Sequence, residues 1–173
     1  MKNVFLTGAS GTGKTTVAKL LSEKLNLVHP PSVSRSCPHP ISTNQAQTWI
    51  GAKTFEQAMS IEGSVMDRTP MDCSGYNSAF GLHNQQADDN RVKLFAATNP
   101  FVVYFPIYWP AEDDGFRPVS PSLNRIVDNY IVYLLKINDI KYMTVQNEPA
   151  TDRTELIISE WENYNGNGNQ TKK

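Results

Sequence analysis

Gly8-Ala9-Ser10-Gly11-Thr12-Gly13-Lys14-Thr15 is the stretch on which the fold of this chain turns. It follows the apolar run Val4-Phe5-Leu6 and precedes Val17, Leu20, Leu21 and Leu25, which recur at helical spacing. A strand, a glycine-rich turn and a helix, in that order, are the context in which Gly-x-x-x-x-Gly-Lys-Thr binds phosphate. The glycines let the backbone aim successive N–H groups inward as a nest for phosphate oxygens. Lys14 is placed to span the β- and γ-phosphates, and the Thr15 hydroxyl is a ligand for Mg²⁺. The helix N-terminus adds positive partial charge beneath them, and Thr16 can reach the α-phosphate. The expected cofactors are ATP and Mg²⁺, held by Gly8, Ala9, Ser10, Gly11, Thr12, Gly13, Lys14, Thr15 and Thr16.

Outward from that loop, strands and helices alternate. Residues 2–7 read as a buried strand and the segment from Lys14 as a helix. Residues 29–40 hold Pro30, Pro31, Pro38 and Pro40 and read as a long loop. A helix is expected over 43–59, a brief strand over 64–67, and helical segments over 71–97, loosened between 81 and 89. Phe101-Val102-Val103-Tyr104-Phe105-Pro106-Ile107 is apolar throughout, as a parallel strand covered on both faces should be. Residues 108–122 are polar and broken by proline and read as a loop or lid. A helix follows over 123–137, a strand over 141–145, and a last helix with Asp152 and Glu155 at capping-box spacing. The pattern predicts an α/β, three-layer P-loop NTPase fold with a parallel sheet of about five strands flanked by helices. One domain is expected over residues 1–164, with a disordered Gly/Asn/Lys tail over 165–173.

The composition narrows the function classes. In 173 residues, 39% are hydrophobic and 19% charged, and the formal net charge is -1. That balance argues against a broad basic surface for duplex DNA. No apolar run is long enough to span a bilayer, and no secretory signal pattern opens the chain. Two cysteines give no disulfide framework, so a cytoplasmic protein with no membrane partner is expected. His29, Cys37 and His39 match no zinc spacing. The chain lacks Asn-Lys-x-Asp, which argues against a guanine-specific GTPase, and no strand ends in Asp-Glu, as a water-activating ATPase would require.

A small P-loop domain without those parts is most often a kinase of a small acceptor. Asp67-Arg68 falls at the carboxyl end of the second strand, the edge where α/β folds bind ligands. Asp67 can hold Mg²⁺ or accept the acceptor's proton, and Arg68 can steady the transferred phosphate. Ala111-Glu112-Asp113-Asp114-Gly115-Phe116-Arg117 reads as a short arginine-bearing lid that closes over the γ-phosphate, followed by a helix with Arg125. Asp72 can bind an acceptor hydroxyl or cap the next helix. Trp49, Phe55, Tyr76 and Phe80 fit a base-stacking platform or the core, and Tyr108 and Trp109, beside the lid, suit stacking better.

Four pieces carry a family resemblance: the P-loop, Asp67-Arg68-Thr69-Pro70-Met71-Asp72, Trp109 with Asp113-Asp114-Gly115-x-Arg117, and Ile140-Lys141-Tyr142-Met143-Thr144-Val145. Together they span most of the chain and resemble the ribosylnicotinamide-kinase-like group of P-loop ATPases, which includes many phage-encoded nucleoside and deoxynucleoside monophosphate kinases. The resemblance implies ATP-dependent phosphorylation of a nucleoside or nucleotide acceptor. It assigns Lys14, Asp67, Arg68, Arg117 and Arg125 to catalysis, Thr15 and Asp67 to the metal, and Arg35, Arg68 and Asp72 to the acceptor. Ribosylnicotinamide kinases tend to carry a second acid where this chain has Arg68, which favours a nucleotide acceptor whose phosphate an arginine can hold. Two other readings remain: a kinase of a hydroxyl on a polynucleotide, such as a hydroxymethylpyrimidine in phage DNA or a 5′ end, and a slow regulatory ATPase. Either a monomer or a homodimer is compatible with the sequence.

Overall fold

The computed structural model describes residues 2–82, 85–110 and 120–167. Its elements run β1 (Val4–Thr7), α1 (Lys14–Leu25), a 3-10 helix (Val33–Ser36), α2 (Asn44–Ser60), β2 (Val65–Asp67), α3 (Pro70–Ala79), α4 (Gln85–Ala96), β3 (Phe101–Tyr104), α5 (Pro121–Ile137), β4 (Tyr142–Thr144) and α6 (Ala150–Asn167). The lid stretch Asp113-Asp114-Gly115-x-Arg117 lies outside the described residues. The last helix starts at Ala150, so Asp152 sits in its first turn rather than capping it. It runs on to Asn167, three residues into the stretch whose composition suggested disorder.

The sheet is parallel, in the order β2-β1-β3-β4. Val4 pairs with Val65 on one side and Phe101 on the other; β3 pairs with β4 from Val102↔Tyr142 onward. Alternation along each strand sorts its side chains into two cores. Val4, Leu6, Val65, Phe101 and Val103 pack with Val17 and Leu21 of α1 and Ile157 and Trp161 of α6. Phe5, Met66, Val102 and Tyr104 face the other way, against Met71 and Tyr76 of α3, Val92 and Phe95 of α4, and Val127, Ile131 and Leu134 of α5. The three-layer α/β architecture is therefore the observed one.

The strand count differs from the five expected: four strands form among the described residues. Beyond β2 the chain makes a single parallel bridge, Val28 to Ser64, with Val65 N–H donating to the Val28 carbonyl at 2.8 Å. Pro30 and Pro31 follow at once. They have no N–H to donate and cannot extend the ladder, so a fifth strand stops at one bridge.

The α3–α5 contact is set by a glycine. A Cβ on Gly75 would lie 3.1 Å from the Val127 carbonyl oxygen and 3.2 Å from its Cγ1. A side chain would fit there only if Val127 gave way by a few tenths of an ångström, so the two helices pack closely at this point. Gly75→Val should lower stability by roughly 1–3 kcal/mol through overpacking, read as a lower urea midpoint with an unchanged slope. An unchanged midpoint would show that α3 and α5 do not depend on this close approach.

Candidate active site

Parallel strands bring their carboxyl ends to one edge, so Thr7, Asp67 and Tyr104 finish side by side. The chain leaves β1 through Gly8, whose φ of 141° and close passage both exclude a side chain: a Cβ there would be 2.4 Å from the Phe105 carbonyl oxygen. Gly13, at φ 87°, turns the loop into α1. Lys14 is buried and folds back over the loop, donating to the Ala9 carbonyl and, at 2.9 Å, to Thr12 Oγ1. The glycine-rich turn read from the sequence thus exists, with the Lys14 ammonium inside it.

Asp72 is the hub beneath that loop. It is 1% exposed. Its Oδ2 accepts from Thr7 Oγ1, Thr69 N–H and Thr69 Oγ1, each at 2.8 Å, and its Oδ1 accepts from Gly8 N–H at 3.3 Å and Arg68 Nη1 at 3.1 Å. One carboxylate therefore ties the end of β1, the first P-loop residue, the start of α3 and Arg68. Both of its oxygens already accept hydrogen bonds from within the fold, and Asp72 also borders the cavity described below.

Arg68 holds a φ of 145°, unusual for a side chain bearing a Cβ. It is tied to the loop as well as to Asp72: Nη1 donates to the Gly8 carbonyl at 3.3 Å and Nη2 to Ser10 Oγ at 3.4 Å. Its guanidinium lies 5.4 Å from the Tyr76 ring centre. Burial alone would depress its pKa, but Tyr76, Asp72 and Asp67 outweigh that and hold it above its ordinary value.

Thr15 and Asp67, 52 residues apart, meet directly: the Thr15 hydroxyl donates to Asp67 Oδ2. The other carboxylate oxygen, Asp67 Oδ1, is buried and has no partner among the described residues. A hydroxyl and a carboxylate with a spare buried oxygen form a hard-oxygen donor pair that fits Mg²⁺.

Next to the P-loop, a cavity opens between the 3-10 helix, α2, β2 and α3. Asp67, Arg68 and Asp72 border it toward the loop, and Val33, Ile50, Met66 and Tyr76 provide apolar walls. Ser34, Gln47, Thr54 and Gln57 add neutral polar groups. Tyr76 belongs to this cavity and bonds Ser10 through its hydroxyl, whereas Trp49 and Phe80 pack against the cores.

No family model matches the chain, and no curated protein matches it in sequence. Solved structures do match in three dimensions. A deoxyadenosine kinase from M. mycoides with dCMP and dCDP bound superposes with a TM-score of 0.67 at 16% identity, over 94% of this chain and 99% of that one. A thymidylate kinase from Candida albicans gives 0.62 at 16%, over 97% and 92%. A shikimate kinase from Acinetobacter baumannii in complex with shikimate gives 0.58 at 20%, over 100% and 96%. The chain has the P-loop kinase fold. At these identities the fold is what the proteins share.

Against that fold, the remaining expected residues scatter. Thr16 lies in the first turn of α1 and is exposed. Arg35 is exposed on the 3-10 helix and does not line the cavity. Arg125 is exposed on α5, not on the lid; its neighbour Asn124 is the one that reaches the P-loop, donating to the Ser10 carbonyl at 3.4 Å. Arg117 lies outside the described residues.

Sequence reasoning also missed two groups. Arg153 of α6 is 3% exposed, donates to the Thr12 carbonyl at 3.3 Å and stacks 4.9 Å from the Trp109 ring centre. Trp109 in turn donates from Nε1 to the Gly11 carbonyl at 2.9 Å. Burial holds the Arg153 pKa below its usual value, against the opposing pull of Tyr108 and Glu148. No local signal singled it out, because an arginine in a polar helix reads as solvated. Asp128 of α5 accepts from Tyr104 Oη at 2.8 Å; burial raises its pKa, against the pull of that bond and of Lys14.

Two predictions follow from this geometry. Asp72→Asn should cost about 3 kcal/mol of stability, since it strands Arg68 and the donors around it, and should weaken Mg·ATP binding through Gly8; chemical denaturation and titration calorimetry measure both. A stability loss below about 1 kcal/mol would remove Asp72 as the hub. Cys73 lines the cavity, and burial pushes its thiol up to about 12. Thiolate is therefore scarce at pH 8, and iodoacetamide should label half-buried Cys37 first in the native protein. Labelling of Cys73 at an equal rate would contradict its burial.

Proposed function

We propose that this chain transfers the γ-phosphoryl group of ATP to a hydroxyl of a nucleoside- or nucleotide-type acceptor bound in the cavity beside the P-loop. The observation that carries this reading is the position of Asp67, which bonds the P-loop residue Thr15 and also borders the cavity. Donor and acceptor would therefore meet at one carboxylate. The deoxyadenosine kinase and thymidylate kinase among the similar structures support the acceptor class.

On this reading the nest of Gly8 to Thr15 holds the donor phosphates, with Thr16 beside them. Lys14 exchanges the Ala9 carbonyl and Thr12 hydroxyl for phosphate oxygens. Thr15 and Asp67 would hold Mg²⁺, which neutralises charge on the phosphates when bound. As the acceptor oxygen attacks phosphorus in line, its proton passes to Asp67, the bond to the bridging oxygen breaks and ADP leaves. Arg68 faces the loop through Ser10 and the Gly8 carbonyl, where it can steady developing charge. The roles of Arg117 and Arg125 in closing over the γ-phosphate belong to the same proposal.

Lys14→Ala should lower kcat by at least about a hundredfold while the circular dichroism spectrum stays native. The assay is ADP release from Mg·ATP with nucleosides and deoxynucleoside monophosphates. Near-normal turnover in the variant would overturn the assignment.

A further inference from the structure

A trans peptide unit points its C=O and its N–H in opposite directions, and the described residues hold no cis bond. A side chain that holds a carbonyl on the outside of the glycine-rich loop therefore aims the next residue's N–H inward. Three consecutive carbonyls of this loop are held in that way. Asn124 of α5 donates to the Ser10 carbonyl at 3.4 Å, Trp109 Nε1 to that of Gly11 at 2.9 Å, and Arg153 Nη1 of α6 to that of Thr12 at 3.3 Å. The N–H groups turned the other way belong to Gly11, Thr12 and Gly13. With glycine at two of these three positions, both at positive φ, the loop's own sequence leaves its peptide planes free to rotate. Donors from outside the loop fix them.

Arg153 is the costly member of this belt. It is 3% exposed, its Nε and Nη2 are buried with no partner among the described residues, and no carboxylate pairs with it there. The Thr12 carbonyl and the face of Trp109, 4.9 Å away, are what meet its charge. A buried guanidinium with donor groups unmade subtracts from stability, so packing alone does not account for it. Gly13 admits it close to the loop, since a Cβ there would lie 3.3 Å from Nη1. Through the Thr12 carbonyl the cation polarises the Thr12–Gly13 peptide and makes the Gly13 N–H a stronger donor. An anion accepted by that N–H would in turn offset the unpaired charge.

We propose that Asn124, Trp109 and Arg153 are positioning residues that pre-orient the N–H groups of Gly11, Thr12 and Gly13 for a polyphosphate chain, and that Arg153 holds its place at the expense of fold stability. This rests on the functional reading above and deepens it, because it assigns part of the donor affinity to side chains outside the loop. All three act through the backbone and none takes part in the chemical step.

Titration calorimetry of the full chain with Mg·ATP and with inorganic tripolyphosphate, beside urea unfolding without ligand, tests this. Arg153→Met keeps an unbranched stem and loses the guanidinium. It should weaken binding of both ligands at least about tenfold, while the urea midpoint stays level or rises. Arg153→Lys restores a cationic donor and should recover affinity to within about threefold of the unaltered protein. Trp109→Phe keeps a ring over Arg153 but removes the indole donor, and should weaken both ligands about three- to tenfold. Unaltered tripolyphosphate affinity in Arg153→Met or in Trp109→Phe would overturn the proposal. So would a loss in Arg153→Met that comes with a lowered urea midpoint, which marks a packing role, or a lysine variant no better than the methionine one. A loss confined to ATP would place the contact on the nucleoside portion and overturn it as well. Each of these outcomes leaves a P-loop kinase in place. If the unaltered protein binds neither Mg·ATP nor tripolyphosphate, the functional reading fails and this proposal falls with it.

Discussion

The buried carboxylate of Asp72 joins four separate pieces of chain: the end of β1, the opening of the P-loop, the N-terminus of α3 and the guanidinium of Arg68. A carboxylate with almost no solvent contact is costly unless its oxygens are saturated and its charge is matched, and here both conditions hold. Arg68 meets the charge, and hydroxyl and amide donors fill the lone pairs. Arg68 makes these contacts from a backbone at φ 145°, a conformation rare for a residue with a Cβ. Much of what positions the glycine-rich loop against β1 and α3 depends on that one group.

The hub also separates two electrostatic environments. On the P-loop side stand Lys14, Arg68 and Arg153, each buried or half-buried against backbone carbonyls. On the cavity side the positive charge is spent, and neutral amides, hydroxyls and apolar walls remain. Asp67 sits on the boundary. Its contact with Thr15 joins the strand-end acid to the P-loop hydroxyl, which neither segment could arrange alone. The indole of Trp109 and the guanidinium of Arg153 close the other flank by bonding Gly11 and Thr12 carbonyls.

Much of the fold was legible in the sequence because its signals are local. The glycine-rich turn between an apolar strand and an amphipathic helix marked β1 and α1, and Phe101 to Tyr104 declared a strand buried on both faces. Pro30 and Pro31 were legible as a break, but their effect in reducing a fifth strand to one bridge depended on what lay beside them. Residues within a motif lie where the motif put them: Lys14 in the loop and Asp67 beside Thr15. Residues chosen for their type in a loop or on a helix fared differently. Arg35 and Arg125 look outward, while Arg153, unremarked in its polar helix, is buried against the P-loop.

By itself, the sequence determined the glycine-rich turn, the α/β layering and the placing of an acid–arginine pair at a strand end, because each depends on residues within a few positions of one another. Only the tertiary structure decided what the pair touches. Arg68 looked free to hold an acceptor's phosphate, yet the approach of α3 to β1 brings Asp72 against it and turns its charge toward the P-loop. The same packing buries Gln47 on the cavity wall, its Nε2 donating to the Ile41 carbonyl. Neither follows from local spacing, since hydrogen-bond partners and desolvation are properties of segments brought together by folding.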